Sequence, residues 1–594
     1  MGARVAGTAW GCTGVSLPEG VEYAAGTTLR GRLVTHRKSP DAVRATHPAD
    51  PGQSASGRSD GWLPAGRHDY IRGMADTVRE IERKYEADRT TQLPDLTGVG
   101  GVATVVEAGA EELDAVYYDT AGLHLAAEGI TLRRRTGGRD AGWHLKLPVA
   151  PGVRDELRAP LSDTPPAELT ALLRSRLLDR ALVPVVRLRT HRTVRVLRDA
   201  GGAPLAEVAV DAVRARRPGP PEGRKNTKAA AVQARWHEIE VELAGGGGPG
   251  LLDAVDRKLA EAGVRPAGSA SKLARALAET GQRYEDAAGP GTGKGGRKGG
   301  GTAGEVVLRY VCAQVRAIVE LDPAVRRDLP DAVHRMRVAT RRLRSAFRSY
   351  TKVLDRAETL PLGVELKWLA AELGVERDRE VLTARLRAAL DGVPRELRLG
   401  PVDARLRIWT ERRRGGAREQ LLAVLDGPRY LALLKRLHAL LEAPPLRPAA
   451  ARPAPEVAAR AVLKDYRRLA GRMETALAAP AGRARDEALH GARKAAKRTR
   501  YAAEAARPAL GRPAKKFARR IKRVQQLLGD HQDSVVARGT LRELATQAQR
   551  AGESGFTFGL LHGREEALAA DRERRLPRVW KKASRRRYRT ALRP

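Results

Sequence analysis

Two segments carry acidic residues at every second position: Glu80 and Glu82, followed by Lys84, in EIERK, and Glu238, Glu240 and Glu242 in EIEVE. Side chains on a strand alternate between faces, so each set shares one face, opposite Ile81 and Arg83 in the first segment and Ile239, Val241 and Leu243 in the second. Glu207 and Asp211 align the same way in PLAEVAVDAV. Cationic faces come from Arg133 with Arg135, from His144 with Lys146, and from Arg187, Arg189 and Arg195. Oxygen-only carboxylate clusters suit Mg²⁺ or Mn²⁺, which bind one or two carboxylates together with substrate phosphates. Arg and Lys opposite such a cluster clamp the remaining phosphate charge. The chemistry implied is phosphoryl transfer or hydrolysis, with metal polarising phosphate and positioning water. The same alternation also describes a half-solvated sheet laced by salt bridges worth about 0–1 kcal/mol each.

A second constellation has helical spacing. His334, Arg337, Arg341, Arg344 and Arg348 recur at intervals of three and four, forming one stripe, and His490, Arg493, Lys497 and Arg500 repeat it. Like charges along one helix face repel by a few tenths of a kcal/mol per pair, so an anion is expected to lie along the stripe. Zinc is a poor fit, because each helix offers one His and no Cys. Arg forks suit phosphate oxygens, with the histidines as further donors. Basic runs at Lys515–Arg523 and Lys581–Arg589 read, one by one, as solvated faces.

The elements that must position these residues differ between the two halves. From Val78 to about Leu277 the pattern is period 2, in VREIERKYEA, GITLRRRTG, GWHLKLPV, VVRLRTHRTVRVL, PLAEVAVDAV and WHEIEVELA, with ELTALLRSRLL as an intervening helix. Beyond residue 305 the period is helical, in long segments rich in Ala, Leu and Arg. His334 and His490 are 156 residues apart, and the later landmarks LGVERDREV and LGDHQDSV are 155 apart, which argues for two related helical bundles in tandem. Residues 1–73 are rich in Gly, Ser, Thr and Pro and read as disordered, or as lying upstream of the true start at Met74. The expected divisions are 1–73, a strand-rich domain over 74–283, a Gly-rich linker over 284–304 and a helical domain over 305–594. The linker contains GTGK, but Ala288 and Gly295 break the P-loop pattern. Ser269–Lys272 spells SxxK without the accompanying SDN and KTG elements of acyl-enzyme hydrolases.

The whole chain has 594 residues and a net charge of +39, of which about +32 lies in residues 301–594 and about +7 in 1–300. A field of that strength calls for a polyanion. Aromatics make up only 4% of residues, little material for the stacking platforms of single-strand nucleic-acid binders. Cys12 and Cys312 form neither a disulfide framework nor a CxxC knuckle, which fits a reducing compartment. No apolar run approaches the roughly 18 residues that span a bilayer, and no signal peptide is evident, so a cytoplasmic protein without a membrane partner is expected.

In this order, Glu80–Lys84, Leu132–Arg135, Trp143–Lys146, Glu207–Asp211, Trp236–Glu242 and Ser271–Arg275 resemble a CYTH domain of the triphosphate tunnel metalloenzymes, over about 200 residues. The resemblance implies an eight-stranded antiparallel tunnel that takes a triphosphate-bearing small molecule with a divalent metal, Mg or Mn. Glu80, Glu82, Glu238, Glu240 and Glu242, with Asp211, would serve the metal, and Lys84, Arg133, Arg135, Lys146, Arg189 and Lys272 would hold phosphates. In the long strand, Arg187 or Arg192 stands as an alternative to Arg189. Glu80, Glu82, Lys84 and Glu240 are the expected catalytic residues.

The helical half resembles the CHAD domain, the conserved histidine alpha-helical domain often fused to CYTH. That resemblance implies two four-helix bundles related by pseudo-twofold symmetry around a basic cavity that binds inorganic polyphosphate. His334, Arg337, Arg341, Arg344, His490, Arg493, Lys497 and Arg500 carry over as ligands, with His531 as an extra candidate. Arg377 and Asp378 match the first LG landmark, while Gln532 replaces the Arg of the second. The expected protein is a triphosphatase with a polyphosphate-binding module, associated in the cytoplasm with polyphosphate granules. Its rivals are a non-catalytic polyphosphate-binding protein and, less favoured, a nucleic-acid-binding protein.

Overall fold

A computed structural model describes residues 76–217, 233–281 and 301–593. The segment 1–73 and most of the expected linker lie outside them, as does Cys12, while Cys312 is buried in the helical half.

Eight antiparallel strands close into a barrel in the order β1-β5-β4-β3-β2-β6-β7-β8. They are β1 (Asp76–Ala87), β2 (Thr104–Asp119), β3 (Thr131–Thr136), β4 (Gly142–Ala150), β5 (Val153–Ala159), β6 (Val183–Arg198), β7 (Pro204–Arg216) and β8 (Gln233–Leu243). Closure leaves no strand edge, and eight strands enclose room for side chains or one small ligand. Alternation picks out six of these strands. β2 and β5 escape it because both faces carry charge: in β5, Asp155 faces outward between inward Arg154 and Glu156.

The polarity of the wall is the reverse of an ordinary core. Outward-facing Leu132, Trp143, Leu145 and Leu157 pack beneath α2 (Ala167–Leu177), which follows the short α1 (His124–Ala127). Outward-facing Val208, Ile239 and Val241 pack beneath α3 (Pro249–Glu261). Burying those faces under helices leaves the inward faces for polar groups. At one end, inward Tyr117, Val186, Leu188, Val213 and Trp236 receive Leu273, Ala276 and Leu277 of α4 (Lys272–Glu279), which plugs the barrel. Ser271 caps α4 by accepting from the Ala274 amide at 3.1 Å, fixing Lys272 at the helix start.

The helical half runs α5 (Ala303–Arg326), α6 (Ala332–Ser349), α7 (Arg356–Asp391), α8 (Val402–Asp426), α9 (Pro428–Glu442), α10 (Ala454–Ala478), α11 (Arg483–Ala505), α12 (Arg507–Arg550), α13 (Phe556–Ala583) and α14 (Arg586–Thr590). Thr302 and Glu305 form a capping box that starts α5. One core gathers α5, α6, α7 and α9, a second gathers α10 to α14, and a third joins the far ends of α7 and α8 to those of α12 and α13. Met336, Ala339, Leu343 and Phe347 bury one face of α6, leaving its Arg stripe on another, and Leu489, Ala492, Ala496 and Ala503 do the same in α11. The two stripe helices pack against each other.

The halves also touch. Ser175 Oγ of α2 donates to the Val319 carbonyl of α5 at 3.1 Å, and Arg327, at the end of α5, lies 2.9 Å from Asp155 of β5.

Candidate functional site

Register assigns every charged residue of the barrel wall to a face. Glu82 pairs with Glu242, Lys84 with Glu240 and Glu86 with Glu238, and across β7 Asp211 pairs with Glu238. Arg192 pairs with Asp211, Arg133 with His144, and Lys146 with Glu156. Residues opposite each other in a register share a face, so all of these point into one lumen.

Lys272 reaches in from α4. Its ammonium lies 2.8 Å from Asp211, 2.7 Å from Glu238 and 2.5 Å from Glu240, whose carboxylate oxygens all fall within 4.8 Å of one another. Arg192 donates to both oxygens of Asp211, at 2.8 and 2.7 Å, and to Glu240 at 2.7 Å. Burial opposes ionisation of Glu240, but Lys272, Lys84 and Arg192 outweigh it and hold the carboxyl well below its ordinary range. This trio is already neutralised by protein cations.

Glu80, Glu82 and Glu242 form a different environment. Lys146 lies 2.6 Å from Glu80, and Lys84 lies 2.9 Å from Glu82. Glu242 sits among carboxylates: burial first, then the charge of Glu80, pushes its carboxyl up to about 7. Glu80 is also raised, chiefly by burial. Glu82 is shifted the other way, burial being outweighed by Lys84, Lys146 and Arg154, so the raised carboxyls are Glu80 and Glu242. Raised, oxygen-only donors are what a hard divalent cation would relieve, so these residues fit the implied metal.

The cation-rich side of the lumen centres on a residue that alternation missed. Glu156 lies 2.9 Å from His144, 3.6 Å from Lys146, 3.7 Å from Arg133 and 2.5 Å from Arg158. Burial opposes its ionisation, but His144, Lys146 and Arg133 drive its carboxyl far below the usual range. Arg135 is inward and paired with Asp140. Arg154, 3.6 Å from Glu82, also faces in. The alternating R-x-E-x-R of 154–158 was the available signal.

The long strand requires a correction. Arg189 stands on the outer face, 67% exposed and 3.3 Å from Asp114, and Arg187 shares that face. Arg192, inward and half-buried, replaces Arg189 among the lumen cations.

In the helical half, α6 and α11 bring their stripes together. Lys497 is pushed down to about 7 by burial and by the charges of Arg493, Arg341 and Arg337. Arg341 is lowered by burial and by Arg337 and Arg493. The buried Nε atoms of Arg337, Arg341, Arg493 and Arg500 have no hydrogen-bond partner among the described residues. Arg337 meets Asp378 through two bonds of 2.5 and 2.9 Å, and His490 meets Gln532, the residue in place of the expected Arg, at 2.5 Å. Arg344, whose charged neighbour is Arg348, and Arg500, 3.3 Å from Glu504, lie farther along; His334 is half-buried near the start of α6. His531 is turned elsewhere, buried against Glu573 at 3.0 Å and Asp486 at 3.4 Å, which removes it from the groove. The side chain of Arg377 lies outside the described residues.

Comparison with known proteins agrees with this architecture. The CYTH domain model matches residues 78–277 and the CHAD domain model matches 309–542. Uncharacterized proteins from two strains of Mycobacterium tuberculosis are 40% identical over 497 residues, covering 82% of this chain and 93% of theirs. Among solved structures, PptA from Streptomyces chartreusis is 21% identical over 47% of this chain and 99% of its own, with a TM-score of 0.40. The CHAD domain from Ricinus communis is 26% identical over 48% and 93%, with a TM-score of 0.38. A putative adenylyl cyclase from Hippeastrum with a dominant triphosphatase activity is 17% identical over 34% and 97%, with a TM-score of 0.19. With a barrel matched by one domain model, a helical half by the other and a relative spanning both, the chain belongs to the family of proteins in which a CYTH domain is joined to a CHAD domain.

Proposed function

We propose that the barrel hydrolyses a short phosphate chain such as tripolyphosphate, with Mg²⁺ or Mn²⁺, and that the helical half captures inorganic polyphosphate. The observation that carries the catalytic reading is the pair Glu80 and Glu242, carboxyls raised by burial and by neighbouring carboxylates beside Glu82, on the same lumen as Lys146, Arg133 and Arg135. The metal would supply Lewis-acid polarisation of the terminal phosphoryl group. Lys146, Arg133, Arg135 and Arg192 would bind phosphate oxygens and stabilise the charge that gathers on them as water attacks the terminal phosphorus and the bridging P–O bond breaks, giving orthophosphate and pyrophosphate. Lys84 and Lys272 hold the acidic residues in place, and a lumen carboxylate orients the water.

The reading of the helical half is supported by the converging cations of α6 and α11, among which burial and the charges of Arg493, Arg341 and Arg337 push Lys497 down to about 7. That module would hold the protein on cytoplasmic polyphosphate deposits. A second reading, a barrel that binds without turnover, is favoured by the neutralisation of Asp211, Glu238 and Glu240 by Lys272. Phosphate release from tripolyphosphate with Mg²⁺ or Mn²⁺ separates the two. We expect Glu80→Gln to lower kcat by about 10² or more; release in the wild type that Glu80→Gln leaves unchanged overturns the assignment, and binding with no release supports the second reading.

A further inference from the structure

The outer wall of the barrel carries a cationic grid that the lumen chemistry does not use. Arg187 and Arg189 alternate on β6 with buried, inward Val186, Leu188 and Thr190, and Arg214 and Arg216 alternate on β7 with buried Val213 and Ala215. Arg235 lies between Ala234 and Trp236 on β8. The registers set these arginines directly against one another: Arg187 opposite Arg216, Arg189 opposite Arg214, and Arg214 opposite Arg235. All five are exposed.

Neighbouring strands are about 4.8 Å apart and residues i and i+2 about 6.7 Å, so five guanidiniums occupy a patch two residues deep and three strands wide. Like charges directly opposite in a sheet are destabilising. A merely solvated wall pairs its signs, as the neighbouring His191–Glu112 and Arg195–Glu107 contacts do. Here Asp114 serves Arg187 and Arg189 together, and among the described residues no carboxylate is ion-paired with Arg214, Arg216 or Arg235.

From this grid we infer a second polyanion site, on the outside of the barrel over β6, β7 and β8, that takes a stretch of long-chain inorganic polyphosphate. Arg forks bind phosphate oxygens in pairs, and a chain of directly linked phosphates offers acceptors to every member of the grid. No Phe, Tyr or Trp stands on the outward positions of these strand ends, so a base-stacking platform is missing. None of the large exposed apolar residues lies there either, so nothing would insert into a bilayer. The identity of the chain as polyphosphate rests on the reading of the helical groove given above; the anion site itself rests on the grid alone.

The test uses the full chain with Arg214, Arg216 and Arg235 all changed to Gln, beside a groove variant with Arg341→Gln and Lys497→Gln. Removing three exposed, mutually repelling cations leaves the melting temperature unchanged or raises it. Binding is measured against salt for long-chain polyphosphate, tripolyphosphate, single-stranded DNA and phosphatidylserine vesicles. The outer-wall variant is expected to bind long-chain polyphosphate about tenfold more weakly, with a salt slope smaller by about 2, and tripolyphosphate within twofold of wild type. Long-chain binding and slope equal to wild type overturn the inference, as does a loss confined to DNA or to vesicles. If the groove variant binds polyphosphate normally while the outer-wall variant does not, the groove reading fails and the outer site stands.

Discussion

Lys272 of α4 and Glu240 of β8 meet across 2.5 Å inside the barrel, so a helix that belongs to no strand completes the charge balance of the wall. The same ammonium serves Asp211 and Glu238, and burial, which opposes its charge, is outweighed by the three carboxylates, raising its pKa. Removing it leaves buried carboxylates without their principal cation. Lys272→Met is therefore expected to cost about 3–5 kcal/mol, read as a fall in the urea midpoint at unchanged slope. A midpoint within error of wild type would show that Lys272 is held by the trio without holding it.

Arg192 and Arg189 are three residues apart on one strand and lie on opposite sides of the wall. Arg192→Gln is expected to lower kcat/KM for tripolyphosphate by about 10², and Arg189→Gln to leave it within twofold. Arg192→Lys, which keeps charge without the fork on Asp211, should recover part of the loss. Equal effects at the two positions would contradict the inward assignment.

How far the sequence could be read follows from the same wall. Glu80, Glu82, Glu238, Glu240 and Glu242 were legible because strict period-2 spacing against Ile and Val defines a face without knowledge of the partner strand. Arg192 was not separable from Arg189: β6 has Arg on both faces, and only pairing with Asp211 of β7 tells which face is enclosed. Glu156 was hidden because Asp155 beside it is also charged and answers to a long-range partner, Arg327. The stripes of α6 and α11 were legible as 3–4 repeats, while their convergence on Lys497 depends on helix packing that no local spacing encodes. His531 misled because a His near the repeated landmark looks like a ligand until Asp486 and Glu573, from two other helices, are seen to claim it.

Under the proposed function, Lys497 makes anion capture a proton-linked reaction. Its ordinary pKa is 10.5 and in the groove it stands at about 7, lowered by burial and by Arg493, Arg341 and Arg337. A lysine depressed on folding contributes least penalty above 10.5 and most below 7, so the protein without ligand loses stability from this residue as pH falls through that window. An anion beside the ammonium restores its charge. Between pH 7 and 10 polyphosphate binding should therefore take up a proton, and affinity should rise as pH falls across that range. Calorimetry in two buffers of different ionisation enthalpy measures the uptake. Lys497→Met should abolish it, and no uptake in the wild type at pH 8 would place Lys497 outside the bound chain.

Asp155 ties the barrel wall to the helical half. Its two oxygens receive Arg79 of β1 and Arg327, which caps the end of α5, each at 2.9 Å, with the side chains of Asp155 and Arg327 both buried. Nearby, Ser175 donates to the Val319 carbonyl, and Leu178 packs on the first helical core. Breaking a buried pair from one side leaves the other charge stranded, at about 3–5 kcal/mol, a large part of the free energy that joins two domains. Because the loss falls on the interface rather than on either core, Asp155→Asn should split the thermal unfolding of the full chain into two calorimetric transitions where the wild type shows one. The double variant Asp155→Leu with Arg327→Met removes both charges and should bring the transitions back together. Separate transitions already present in the wild type would show that the two halves are thermodynamically independent despite the contact.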